Sequence, residues 1–228
     1  MYINNGKEAI TLLESLYERP YFSRLNEFSD LAPEMFKEFM TFNEGVMKHG
    51  SLSLKLKELA AVAVAHVTGC PYCIELHVSQ LKEAGGSKEE MSEAILIGTA
   101  LKAGSSVAHG VNALNAYDDV NDDTLYKRSY FDRLGELSKL QPDMFKAFAN
   151  FDQQAMKPST MSKKDAELIA VAVAHTTGCP YCIDLHTKNA KEKGAEKEEI
   201  AEIIFVATAL KAGSVLAHGV NGLNAYDR

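Results

Sequence analysis

Two short stretches hold all four cysteines of the chain, HVTGCPYCIELH from His66 and HTTGCPYCIDLH from His175. Each pairs two thiols, Cys70 with Cys73 and Cys179 with Cys182, at a spacing that lets the sulfurs meet. Each also sets a histidine four residues past the second cysteine, His77 and His186. Residues four apart share one face of a helix, so the imidazole falls beside that thiol and can take or return its proton. Pro71 and Pro180 suit a first helical turn, where a missing N–H is not needed. With Gly69 and Gly178 just upstream, a helix is expected to start near Cys70 and near Cys179. Unpaired amides and the positive dipole end stabilise a thiolate there. Lowered pKa values are therefore expected for Cys73 and Cys182, from the helix start and the following histidine. A secreted scaffold would spread its cysteines to staple distant segments; two close pairs read instead as redox or metal chemistry in a reducing compartment.

An acidic partner lies upstream. Glu58 precedes Cys70 by twelve residues, and Glu167 precedes Cys179 by the same interval. Glu58 sits in LKLKELAAVAVAHVTG, an Ala/Val-rich segment expected to form a buried helix that Gly69 ends. A carboxylate buried in such a helix needs a partner. His66 and His175 read either as supporting residues behind the site or as satisfied buried histidines. His109 and His218 read as structural, and Lys102 and Lys211 as helix-end charges.

This pattern of Glu, CxxC and His resembles the active-site signature of alkylhydroperoxidase D, in the carboxymuconolactone decarboxylase superfamily of all-helical proteins. The resemblance covers roughly residues 20–117 and 129–226. It implies that Glu58 and His77 relay a proton through water to Cys73, that Cys73 attacks the peroxide, and that Cys70 resolves the product. Glu167, His186, Cys182 and Cys179 repeat those roles. It further implies a small hydroperoxide substrate and an external dithiol reductant, a dihydrolipoyl or thioredoxin-like protein. No bound cofactor is implied. Assembly into symmetric homo-oligomers is implied, a trimer of chains above all. The chain departs from well-known members at Tyr72 and Tyr181, where they carry a histidine. On the residues alone the order of the thiols stays open. Thioredoxin-like logic favours the first cysteine as nucleophile, whereas the histidine at the next turn favours the second. Two other readings use the same residues. Cys70, Cys73 and His77, with Glu58 or His66, are legitimate zinc ligands. Alternatively, the halves form a non-enzymatic assembly module whose dithiols sense redox state.

The elements that position these residues occur twice. Shifted by 109 residues, 58–78 match 167–187 at 17 of 21 positions, and 98–117 match 207–226 at 16 of 20. A weaker match links the segments from Tyr21 and Tyr130. Two equivalent domains are expected, 1–118 and 119–228, joined in the acidic stretch YDDVNDDTLY and packed about a pseudo-twofold axis. Both are expected to be all-α. Met35, Phe36, Phe39, Phe42, Val46 and Met47 form a stripe at helical spacing, and Ser87 with Glu90 reads as a capping box. SKEEMSEAILIGTALKAG and SSVAHGVNALNAY read as separate helical patterns, and no hairpin signal is seen. Met35, Phe36, Met144 and Phe145 exceed what a small helical unit buries alone, which suggests further association.

The 228 residues carry 24 basic and 31 acidic side chains, both signs scattered, for a net charge of −7. Without a basic stripe, nucleic acid is not an expected partner. Long apolar runs are not seen, and MYINNGKEAITLLESLYERP is too polar for a signal peptide or a membrane helix. No membrane partner is expected, and the expected location is the cytosol.

Overall fold

A computed structural model describes residues 15–48 and 50–228; the first fourteen residues of the polar opening stretch lie outside it. Each half runs through the same elements. A 3-10 turn (Arg19–Asn26) leads into α1 (Glu27–Leu31), α2 (Pro33–Met47), α3 (Leu54–Thr68), α4 (Pro71–Glu83) and α5 (Lys88–Tyr117). A second 3-10 turn (Arg128–Arg133) leads into α6 (Leu134–Leu140), α7 (Pro142–Ala155), α8 (Lys163–Thr177), α9 (Pro180–Glu192) and α10 (Lys197–Tyr226). Among the described residues there is no strand, so the all-α expectation holds.

The Ala/Val segments form the centre. Leu56 to Ala65 of α3 and Ala166 to Ala174 of α8 are buried without a break. Small side chains let these two helices lie against each other and against both long helices, α5 and α10. One apolar core results, joining Val62 and Val64 to Val171 and Val173, and Ile97 and Leu101 to Ile203 and Leu210. The two halves therefore do not own separate cores.

The C-terminal helical patterns of each half differ from expectation. SKEEMSEAILIGTALKAG and SSVAHGVNALNAY are one helix of 30 residues, α5, running straight through Gly104. Ser87 and Glu90 start it with the expected capping box. Helices α5 and α10 are also long and apolar enough to cross a membrane by length and composition, with mean hydropathy 1.2 and 1.8 over 18 residues. That corrects the impression of no long apolar run; part of this surface is the shared core.

The long helices also exchange partners. α2 lies on α10 of the other half, and α7 lies on α5. Two acids lock the exchange. On α5, Glu93 accepts the amide and hydroxyl of Ser159 at 2.6 and 2.8 Å. On α10, Glu202 accepts the Leu52 amide at 2.8 Å and pairs with Lys57 at 2.5 Å. Lys57 is 1% exposed, and its ammonium also donates to the carbonyls of Val46 and Lys48. At the matching position the second half has Ala166.

Candidate active site

Each α3–α4 and α8–α9 corner is built by its Gly-Cys-Pro. Gly69 and Gly178 end their helices with φ of 72° and 73°, a left-handed conformation that strains any residue with a Cβ. Cys70 and Cys179 are then the N-caps of α4 and α9, with Pro71 and Pro180 in the first turn. The Sγ of Cys70 accepts the Cys73 amide at 3.2 Å, and that of Cys179 accepts the Cys182 amide at 3.3 Å. The corner folds α4 back along α3. His77 thereby meets Glu58, Nδ1 to Oε2 at 2.9 Å, and His186 meets Glu167 at 2.8 Å. All four side chains are buried. The carboxylate holds the imidazole through Nδ1, leaving Nε2 to exchange a proton.

The structure brings the eight sequence-derived residues together in two equivalent clusters. In the first half the cysteines form the disulfide Cys70–Cys73, with Cα atoms 5.3 Å apart; in the second, Cys179 and Cys182 are free thiols. Cys70 and Cys179 are fully buried. Cys73 and Cys182 instead line cavities of about 220 and 120 Å³, together with His77 and His186. Phe22 and Phe39 wall the first cavity, and Phe131 and Phe148 the second. Part of each wall comes from the opposite half: Leu210, Gly213 and Ala217 of α10 for the first, Leu101, Gly104 and Ala108 of α5 for the second.

Acidity within the reduced pair runs opposite to the sequence expectation. The Cys179 thiol is pulled well below its usual pKa, by the hydrogen bond from the Cys182 thiol first, then by the Cys182 amide, His109 and Ser105. Cys182 is pushed up by its hydrogen bond to Cys179, by burial, and by the charges on Cys179 and Asp152. The correction has a simple cause. The N-cap sulfur, not the first-turn sulfur, receives the orphan amide at the helix start.

Sequence reading missed the contribution of the opposite half. Ser105 and His109 stand on α5, yet they act on Cys179; Ser105 is buried. His109 had been read as structural. Its Nδ1 lies 3.4 Å from the Tyr126 hydroxyl, and the equivalent His218 lies 3.1 Å from that of Tyr17. The available signal was the near-identity of KAGSSVAHG and KAGSVLAHG between the halves, too great for a merely apolar helix. Alkylation of the reduced protein followed cysteine by cysteine should give Cys179 an inflection clearly below the unperturbed value of about 8.5. His109→Ala should move that inflection up and leave the Cys70 inflection unchanged. An unshifted Cys179 inflection in the variant contradicts the assignment.

His66 and His175 line neither thiol cavity. Each ring binds a carbonyl of its own helix, Val62 and Val171, both at 2.8 Å. Lys102 and Lys211 are not at the ends of their own helices but in the middle of α5 and α10, because each long helix runs on past the glycine. They donate instead to Val67 O and His175 O near the ends of α3 and α8. The motif tyrosines anchor the 3-10 turns over the sites. Tyr72 donates to Glu18 O at 3.1 Å and Tyr181 to Lys127 O at 3.2 Å. Their rings pack on Phe22 and Phe131 at 5.1 and 5.2 Å. Among the described residues no three His, Cys, Asp or Glu side chains converge as a metal site would require.

A buried Glu–His pair behind a helix-capping dithiol, present twice in one helical core, defines a duplicated all-helical dithiol protein. Residues 33–116 and 142–225 each match the carboxymuconolactone decarboxylase family, and the chain belongs to that family. Over 94 residues it is 39% identical to an uncharacterized protein of the cox locus of Paracoccus denitrificans, covering 41% of this chain and 85% of the relative. Over 189 residues it is 26% identical to the alkyl hydroperoxide reductase AhpD of Coxiella burnetii, covering 82% of this chain and 92% of that protein. The fold is shared with a Burkholderia xenovorans protein assigned as a gamma-carboxymuconolactone decarboxylase subunit. That match has a TM-score of 0.67 at 18% identity, over 91% of this chain and 95% of the other.

Proposed function

We propose that the protein is a dithiol peroxidase that reduces hydroperoxides at two CxxC sites. One observation carries the reading: in each half the histidine of a buried Glu–His pair lines a small, largely apolar cavity together with the second cysteine. A peroxide entering the second cavity meets Cys182, since Cys179 is fully buried. His186 takes the Cys182 proton as the sulfur attacks the distal peroxide oxygen. The O–O bond breaks, Cys182 becomes a sulfenic acid, and the leaving alkoxide takes the proton from His186 and departs as an alcohol. Cys179, the more acidic thiol, then attacks the sulfenic sulfur. The S–O bond breaks, a proton joins the hydroxyl to release water, and the Cys179–Cys182 disulfide forms. In the first half the same steps at Cys73 and Cys70 would end in the Cys70–Cys73 disulfide, a pairing whose geometry the fold accommodates. An external dithiol, on a dihydrolipoyl or thioredoxin-like protein in a reducing compartment, returns each site to two thiols. On this reading the low pKa of Cys179 suits a resolving thiolate that is always ready, while access selects Cys182 for attack.

Self-association belongs to the same proposal. Leu31, Met35, Leu140 and Met144 are exposed at matching places on the two halves, and the number three rests on the resemblance alone.

The test is steady-state turnover of several hydroperoxides against dihydrolipoyl and thioredoxin-type reductants, with Cys73→Ser/Cys182→Ser as control. Peroxide-dependent turnover lost in that control, with one intramolecular disulfide per half on peptide mapping, is the expected result. If peroxide leaves all four thiols titratable, the proposal fails.

A further inference from the structure

The two cavities differ in charge. Asn43 of α2 lines the first beside Cys73 and His77; Asp152 of α7, at the matching position, lines the second beside Cys182 and His186. We infer that Asp152 makes the second site selective against anions, so that acidic hydroperoxides are reduced at the first site and only neutral ones at both. The substrate class rests on the peroxidase reading; the charge discrimination does not.

The titratable groups around Asp152 are few. Cys182, His186 and Tyr181 line the cavity with it from α9, the Tyr181 hydroxyl donating to Lys127 O, and Cys179 accepts the Cys182 amide. Glu167 acts on it from α8, on the far side of His186. The α5 wall is Leu101, Gly104, Val107 and Ala108, and contributes no charge. Gly104 lies against the carboxyl, a Cβ there meeting Asp152 Oδ1 at 3.9 Å in ordinary contact, and no α5 residue lining the cavity sets a polar side chain against it. Once ionised, Asp152 sets a negative charge in a small apolar space, where a second negative charge costs more than in water. That second charge is either the Cys182 thiolate or an anion arriving to react with it. Burial and Glu167 raise the Asp152 pKa, and His186 opposes them. Below that pKa the carboxyl is neutral and the difference between the sites closes; above it the difference is fully present. The first cavity is also the larger of the two, about 220 against 120 Å³, which accommodates a bulkier acid.

The experiment uses two alkylating probes of similar size, neutral iodoacetamide and anionic iodoacetate, on the reduced full-length protein at neutral pH. Mass mapping reports Cys73 and Cys182 separately. The ratio of iodoacetate to iodoacetamide rate should be lower at Cys182 than at Cys73, by a factor on the order of ten. Asp152→Asn should lift the Cys182 ratio to that of Cys73, and Asn43→Asp should lower the Cys73 ratio. The two variants change opposite halves, so misfolding of one does not decide the outcome. Equal ratios at both cysteines in the unaltered protein, or ratios unmoved by either exchange, overturn the inference. Because no peroxide is used, failure of peroxidase turnover leaves this result standing. Discrimination by alkylation without the same preference between carboxylated and neutral hydroperoxides would overturn the substrate assignment.

Discussion

Replacing both buried acids, Glu58→Gln with Glu167→Gln, is expected to lower peroxide turnover by about a hundredfold or more, the usual size of a lost general base. The geometry gives the reason. Each carboxylate accepts a hydrogen bond at the Nδ1 of its histidine, at 2.9 Å for Glu58 and 2.8 Å for Glu167. That fixes the imidazole proton on Nδ1 and keeps Nε2 as the basic nitrogen. A glutamine of the same size has an amide donor as well as an oxygen. It can donate to Nδ1, moving the ring proton to Nε2, where it blocks acceptance from the thiol. The loss should therefore fall on kcat, with folding preserved, as judged by circular dichroism. Either single variant should keep about half of the turnover if both halves work, because each cluster holds its own Glu–His pair. A double variant that folds and turns over at a near-normal rate would sink the relay assignment.

The local parts of this site were legible in the sequence because they are written in short-range geometry. Gly69, Cys70, Pro71, Cys73 and His77 lie within nine residues, and helix periodicity alone puts three of them on one face. Glu58 was legible because a lone acid in an Ala/Val run cannot be left unpaired. What could not be read was anything crossing between the halves. Ser105 and His109 meet Cys179 only because α5 lies against the opposite half. Periodicity carries no information about which half a helix packs on. The reversed acidity of the thiols was missed for a finer reason: the sequence places both cysteines at a helix start. Only the structure shows that the Cys182 amide points at the Cys179 sulfur. The join after Tyr117 was read as the place where one unit ends and another begins. The shared core of α3, α5, α8 and α10 shows that the repeat is a unit of sequence more than a unit of packing.

Lys57 is the clearest case of such crossing, and its removal should have the largest effect on stability. Lys57→Met keeps most of the side-chain volume but removes the ammonium. Three acceptors then lose their donor inside the protein: the carbonyls of Val46 and Lys48, and the Glu202 carboxylate. Breaking a buried pair by deleting one partner costs roughly 3–5 kcal/mol, because the remaining charge is left uncompensated. The Glu202 side chain is 19% exposed and keeps the Leu52 amide, so the lower end, about 3 kcal/mol, is expected. For a chain of this length that corresponds to a fall in Tm of about 6–12 °C. Removing the other charge as well, in Lys57→Met/Glu202→Gln, should recover part of the loss, since an uncharged pair leaves no buried ion behind. The second half lives without this pair. Ala166 takes the place of the lysine, and Glu93 is satisfied instead by the amides and hydroxyls of Ser159 and Thr160. The bridge is thus one of two solutions to a single problem, tying the loop before each central helix to the long helix of the other half. Thermal unfolding of the three variants separates the cases. If Lys57→Met melts within about 2 °C of the unaltered protein, less than the shift expected for 1 kcal/mol, the bridge does not hold the halves together. If the double variant melts no higher than Lys57→Met, the damage comes from the two orphaned carbonyls and not from the uncompensated carboxylate.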